Sequence, residues 1–188
     1  MKVIRTFVAV LISEDLKRNI SRVQEEVKKL APDVKWVAPE NLHVTLKFLG
    51  SVPEDVLPRV FSAVEDAVGG RSKFELSVVG LGAFPNPAKA RVVWVGIQEG
   101  RDELIELARN VDSKLARLGF TKEEKEFKAH ITIGRARMGK FVKGLAGAIE
   151  SADARDLGRQ QVVSVTVMQS DLQPTGPTYT PLKVAELS

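Results

Sequence analysis

Two histidines are the whole imidazole complement of this 188-residue chain, and both stand in the same four-residue setting: His43-Val44-Thr45-Leu46 and His130-Ile131-Thr132-Ile133. Imidazole is the side chain that changes charge near neutral pH, with an ordinary pKa of about 6.5. A pair of rings therefore offers one neutral member, able to take a proton from water or a hydroxyl, and one protonated member, able to give a proton to a departing oxygen. General acid–base help of this kind is worth roughly 10²–10⁴-fold per group. Side chains alternate faces along a strand, so each threonine shares the face of its histidine. A threonine hydroxyl there can donate to the non-bridging oxygens of a phosphate, whose charge grows in the transition state. Val44, Leu46, Ile131 and Ile133 face the other way, toward a core. The chemistry this set supports is metal-free acid–base work on a phosphate ester.

Other chemistries lack their residues. The absence of cysteine removes disulfides, thiolate nucleophiles and Cys-based metal sites. Tetrahedral zinc wants three or four protein ligands, and threonine is a poor one, so neither a metal nor another cofactor is expected. No serine elbow, Walker loop or dinucleotide fingerprint is present. Lys47 shares the face of His43 and Thr45 by alternation, which makes it a candidate to neutralise phosphate. Arg135 falls on the face opposite His130 by the same rule, and Phe48 falls on the core side. Trp36, Phe84, Arg91 and Tyr179 lie at or near loops and could stack on bases or grip phosphates, although packing is the commoner role for each.

The elements that must position the histidines follow from periodicity. Strand patterns cover Arg5–Ser13, Leu42–Gly50, Lys73–Leu81, Arg91–Gln98, Ala129–Arg135, Gln161–Ser170 and Tyr179–Ala185. Helical patterns cover Glu14–Leu30 (with Ser13 a natural N-cap), Pro53–Val68, Asp102–Leu118 and Lys140–Glu150. Pro58 interrupts the second of these. His43 and His130 are 87 residues apart, as are Thr45 and Thr132, and the same offset carries Val8 and Val10 onto Val95 and Ile97, and Ser77-Val78 onto Ser164-Val165. This points to internal duplication of a β-α-β-α-β unit, the two copies facing one another about a pseudo-two-fold axis. The Gly/Pro-rich stretch Gly80–Lys89 is the natural seam, and Gln173–Pro177 is a second loop. A fixed offset gives the last strand the role of Arg91–Gln98, leaving open which strand closes which lobe. The expected architecture is α+β: one domain over residues 1–188, built from two pseudo-symmetric lobes (about 1–88 and 89–188), with two mainly antiparallel sheets facing a central cleft and helices outside.

The totals agree with a globular chain, at 44% hydrophobic and 28% charged residues. No apolar run approaches the roughly 20 residues that span a bilayer. The N-terminus reads as a first strand rather than a signal peptide, so the expectation is a cytoplasmic address, with no membrane partner, for a monomer. A net charge of +4 and a pI near 9.4 suit a polyanionic substrate, as they also suit a solvated lysine-rich surface.

Paired His-x-Thr motifs in a duplicated chain of this size resemble the two-histidine (2H) phosphoesterases. Lys35-Trp36-Val37, then Glu40 through Gly50 (ENLHVTLKFLG), is similar to the archaeal and bacterial branch called RNA 2′,3′-cyclic phosphodiesterase, or 2′-5′ RNA ligase-like. Phe127–Arg135 and the Gly176-Pro177-Thr178-Tyr179 loop also match its style, so the likeness spans essentially the whole chain. The resemblance implies hydrolysis of an RNA terminal 2′,3′-cyclic phosphate to a 2′-phosphate. It makes His43 the proton donor to the departing 3′ oxygen, His130 the proton acceptor from water, and Thr45 and Thr132 phosphate donors. It also draws in Arg135, since an arginine five positions after the second histidine recurs in relatives. Replacing water by a 5′-hydroxyl would give reversible 2′-5′ ligation without ATP. Ala129 stands where relatives often carry proline, which touches only local backbone shape. Two alternatives keep the pocket and change its use: a non-catalytic binder of nucleotides or RNA, and a phosphodiesterase for a small nucleotide such as ADP-ribose cyclic phosphate.

Overall fold

Alternating β-branched and apolar residues make Val3–Leu11 a strand (β1), and the stripe Leu16, Ile20, Val23, Val27 makes Glu14–Lys28 a helix (α1) in the computed structural model. The structure describes residues 2–137, 144–152 and 155–188. Ser13 caps α1, its hydroxyl accepting from the Leu16 amide at 3.3 Å, with Glu14 and Asp15 at the positive end of the helix dipole. The chain continues through Val34–Trp36 (β2), His43–Pro53 (β3), Leu57–Val68 (α2), Phe74–Phe84 (β4), Val92–Ile97 (β5), Arg101–Ala116 (α3), His130–Ala136 (β6), Leu145–Ala152 (α4), Asp156–Val162 (β7), Ser164–Gln173 (β8) and Gly176–Glu186 (β9). Pro58 sits in the first turn of α2, where no helical hydrogen bond is lost, and a short 3₁₀ turn at Glu54–Val56 delays that helix to Leu57. Of the helix expected over Lys140–Glu150, residues 140–143 lie outside the described residues.

The strands form two antiparallel sheets, ordered β3-β1-β8-β9 and β2-β6-β5-β4-β7. Each sheet takes strands from both halves of the sequence, so the repeat in the chain and the division in space do not coincide. Helices pack on one face of the sheets, and a continuous apolar cluster joins Leu16 and Ile20 of α1, Val60 and Val64 of α2 and Leu104 and Leu107 of α3 to Val44 and Ile131 of the two histidine strands. Phe7, Ala9, Met168 and Tyr179 form a small separate cluster. This division of faces is what the alternation in the two motifs requires.

Three expectations need correction. The strand expected over Gln161–Ser170 is two strands, because the chain leaves the partner β4 at Val162 and joins β1 and β9 from Ser164 onward. The last strand, β9, is an edge strand paired to β8, while the position of β5, between β6 and β4, is matched in the other sheet by β1, between β3 and β8. The single offset of 87 also holds only for the histidine strands. Ala9 pairs with Thr45 and Trp94 with Thr132, which places β5 85 residues after β1. Val8 pairs with Val167 and Val93 with Ala83, which places β8 84 residues after its counterpart β4. Connections of unequal length absorb the difference.

Candidate active site

His43 opens β3 just after a 3₁₀ turn at Pro39–Asn41, and His130 opens β6 after a stretch without regular structure; each lead-in brings a backbone carbonyl to the ring. His43 Nδ1 lies 2.7 Å from the Asn41 carbonyl, and His130 Nδ1 lies 2.6 Å from the Lys128 carbonyl. A carbonyl only accepts, so Nδ1 carries the proton in both rings and Nε2 is the nitrogen left to exchange one. Around His43 the Thr45 hydroxyl is 2.9 Å from Nε2; it donates to the neutral ring and accepts from the protonated one. The two rings are thus held by the same i−2 device, at equivalent places in the duplication.

Both rings line one pocket of about 510 Å³, whose lining also includes Thr45, Thr132 and Arg135. Arg5, Phe7, Asn41, Phe48, Ser170 and Tyr179 also contribute to its wall. Burial pushes the pKa of His43 below the ordinary imidazole value; its backbone hydrogen bond opposes this, and the charges of Arg135 and His130 add to the lowering. Burial lowers His130 likewise, against its own backbone hydrogen bond and with Arg135 again adding to the lowering. A bound anion would counter the arginine and relieve that pressure on both rings. Tyr179 has its phenol pushed up by burial, with Arg135 and Arg5 pulling the other way.

The sequence places Lys47 in the pocket, and the structure does not. Ala9 pairs with Thr45 but Val8 pairs with Lys47, so Leu46 is an extra residue in β3. Trp94 pairs with Thr132 but Val93 pairs with Gly134, so Ile133 is an extra residue in β6. These are β-bulges at equivalent positions of the two repeats, and each reverses the alternation beyond it. In β3 the bulge turns Lys47 to the core side, where it is 3% exposed, and turns Phe48 out into the pocket, where it is 46% exposed. In β6 the same bulge brings Arg135 round to the face of His130 and Thr132, against the parity rule. Lys47 is thus absent from the pocket lining; its ammonium bonds Asp112 Oδ1 at 2.6 Å and the Thr121 carbonyl at 2.8 Å.

Aromatic side chains wall both rings. Phe7 and Tyr179 flank His43 at centroid distances of 4.9 and 5.4 Å, and Phe84 and Trp94 stand edge-on to His130 at 5.2 and 6.3 Å. Of the four loop candidates, Tyr179 lines the pocket and Phe84 supports His130. Trp36 lies in β2 beside Gly134, and Arg91 ties Phe84 to Ala136 through its backbone. Asn41 was missed: besides its carbonyl, its side-chain amide donates to the Pro177 carbonyl at 2.8 Å, joining the first motif to the β8–β9 hairpin. Arg5 and Phe7 were missed as well, although alternation along β1 puts them on the face opposite Val8 and Val10; a backbone carbonyl, by contrast, leaves no mark on residue type. Arg5 lies over the Phe48 ring at 4.5 Å. Among the described residues, no group of three or more His, Cys, Asp or Glu could hold a metal ion. No helix among them is long and apolar enough to cross a membrane.

The family described as LigT like phosphoesterase matches residues 10–94 and again residues 95–179, two tandem matches as an internal duplication requires. The chain is 38% identical to the RNA 2′,3′-cyclic phosphodiesterase of Methanothermobacter thermautotrophicus, over 98% of this chain and 99% of that one. It is 38% identical to the protein of the same name from Archaeoglobus fulgidus, over 97% and 99% of the two chains. A solved protein of Thermus thermophilus shares the fold with a TM-score of 0.78 at 26% identity, covering 97% of each chain. By two matches that together span most of its length, this chain belongs to the LigT-like phosphoesterase family.

Proposed function

We propose that the protein is a metal-independent phosphodiesterase that opens RNA-terminal 2′,3′-cyclic phosphates to 2′-phosphates. The observation that carries this reading is the pair of imidazoles lining one pocket, each with its Nδ1 engaged by the carbonyl two residues earlier. His130 takes a proton from water as the water oxygen bonds to phosphorus. His43 gives its Nε2 proton to O3′ as the P–O3′ bond breaks. The two rings finish with protonation states exchanged, and proton transfer through water resets them. Thr45, Thr132 and Arg135 hold the non-bridging oxygens, the arginine by charge-assisted hydrogen bonds. The names borne by the curated relatives support the same substrate class. A 5′-hydroxyl in place of water gives 2′-5′ ligation without ATP, because the strained cyclic ester supplies the energy. Both histidines come from one chain, which suits a monomer.

The test is incubation of the purified protein with 2′,3′-cyclic AMP, in the presence and absence of EDTA, followed by identification of the product. A 2′-monophosphate formed at the same rate in both is expected. A 3′-monophosphate would reverse the acid and base assignments, loss of rate in EDTA would refute the metal-free chemistry, and tight binding without hydrolysis would make the pocket a binding module. A much faster rate on ADP-ribose cyclic phosphate than on RNA oligomers would move the substrate class.

A further inference from the structure

We propose that Lys47 and Asp112 act as a positioning pair that locks the His130 segment to the His43 strand from behind the pocket. The inference rests on the acid–base reading above and deepens it. Lys47 and Asp112 are 3% and 7% exposed, a lysine and an aspartate removed from water within a largely apolar surround. Burying two charges is costly and often no better for stability than an apolar pair of similar volume, so such a pair invites a reason beyond cohesion. Its geometry supplies one. Lys47 follows Thr45 by two residues on β3, the strand that His43 begins. Its ammonium reaches Asp112 of α3 at 2.6 Å, the Thr121 carbonyl at 2.8 Å and a Glu123 carboxylate oxygen at 3.8 Å. Asp112 Oδ1 also accepts from the Glu123 amide at 3.2 Å.

Thr121 and Glu123 belong to the segment 117–129, which has no helix or strand and leads directly into His130. The same segment ends in Lys128, whose carbonyl orients the His130 ring. A connection of this length without regular structure needs anchors if a side chain at its end is to be held to a fraction of an ångström. The two histidine strands lie in different sheets, so no strand ladder ties one motif to the other. Lys47 spans that gap: one end of the network is the strand of His43 and Thr45, and the other is the loop that aims His130. The duplication sharpens the point. The position equivalent to Lys47 in β6 is Gly134, where an added Cβ would stand 2.5 Å from Val34, so only one repeat has room for the tie.

The experiment uses the fact that the chain has two histidines, so its imidazole NMR signals divide into two sets. Asp112→Asn keeps the shape and an acceptor oxygen but removes the nearer counter-charge of Lys47, leaving Glu123 at 3.8 Å. Lys47→Met with Asp112→Leu removes both charges together, a change that leaves folding intact in comparable buried pairs. In each variant the His130 Nδ1–H signal is expected to weaken or exchange faster while that of His43 is retained, and kcat on 2′,3′-cyclic AMP is expected to fall about 10–100-fold with KM within about two-fold. Unchanged His130 signals and kcat in the folded variants would overturn the proposal, as would equal perturbation of both histidines, which a merely structural role produces. Should the double variant fail to fold, the Asp112→Asn spectrum decides. If the wild type turned over no cyclic phosphate, the proposed function would fall, while the imidazole signals would still report whether this pair positions His130.

Discussion

Gly82→Ala tests the wall behind His130 with a single methyl group. Gly82 of β4 pairs with Trp94 of β5, and a Cβ added there would sit 2.1 Å from the indole Cζ2. Carbon atoms in ordinary contact are about 3.5–4.0 Å apart, so the indole must retreat by roughly 1.5 Å or the strands must spread. That ring is tilted against Phe84 at 5.2 Å and stands edge-on to His130 at 6.3 Å, with Phe84 edge-on to His130 at 5.2 Å. The displacement is therefore delivered to the proposed base. Overpacking of this kind costs about 1–3 kcal/mol, which in a chain of this size lowers Tm by about 2–12 °C. A misplacement near 1 Å at a reacting group is worth up to about 10²-fold in rate, so kcat should fall about 10–100-fold. Thermal denaturation followed by circular dichroism and initial rates on 2′,3′-cyclic AMP measure the two effects. Adding Trp94→Leu should restore stability by about 1 kcal/mol relative to the sum of the single changes, because the smaller side chain vacates the space that the methyl needs. Wild-type Tm and kcat in Gly82→Ala would refute the placement of the indole and its link to His130.

Because burial and Arg135 lower both imidazoles, both limbs of the kcat/KM–pH profile should lie below the ordinary value of about 6.5, with activity lost on the alkaline side as the acid deprotonates. A bound monoanion favours the protonated rings, so the limbs of the kcat profile should lie higher than those of kcat/KM. Arg135→Met removes a cation that disfavours protonation, so both free-enzyme limbs should move up in pH. The same change should raise KM by about 10–100-fold through the lost charge-assisted hydrogen bonds, and limbs left unmoved would mean the guanidinium does not face the rings.

Much of this site is legible because a strand has a period of two. His43 with Thr45 and His130 with Thr132 share a face by arithmetic, and the apolar residues between them must turn to the core. The same arithmetic fails two residues later, since Leu46 and Ile133 are ordinary strand residues and nothing in their type announces an extra position in the ladder. That one irregularity accounts for the misplacement of Lys47, for the turning out of Phe48 and for the presence of Arg135 in the pocket. The break at Val163 is hidden for a related reason. Gln161 through Val167 carries neither glycine nor proline, and the doubled valine at 162–163 is a faint break in its alternation; the change of partner from β4 to β1 shows that two sheets are involved. The orientation of the rings was out of reach altogether, because Asn41 and Lys128 act through carbonyls that every residue possesses.

Steady-state turnover of 2′,3′-cyclic AMP by His43→Ala and His130→Ala, each shown to keep the wild-type fold, addresses the acid–base pair most directly. Each variant is expected to lose at least about 10²-fold in kcat, the low end of what one general acid or base supplies. A folded variant that retained the wild-type rate after losing either imidazole would contradict the mechanism.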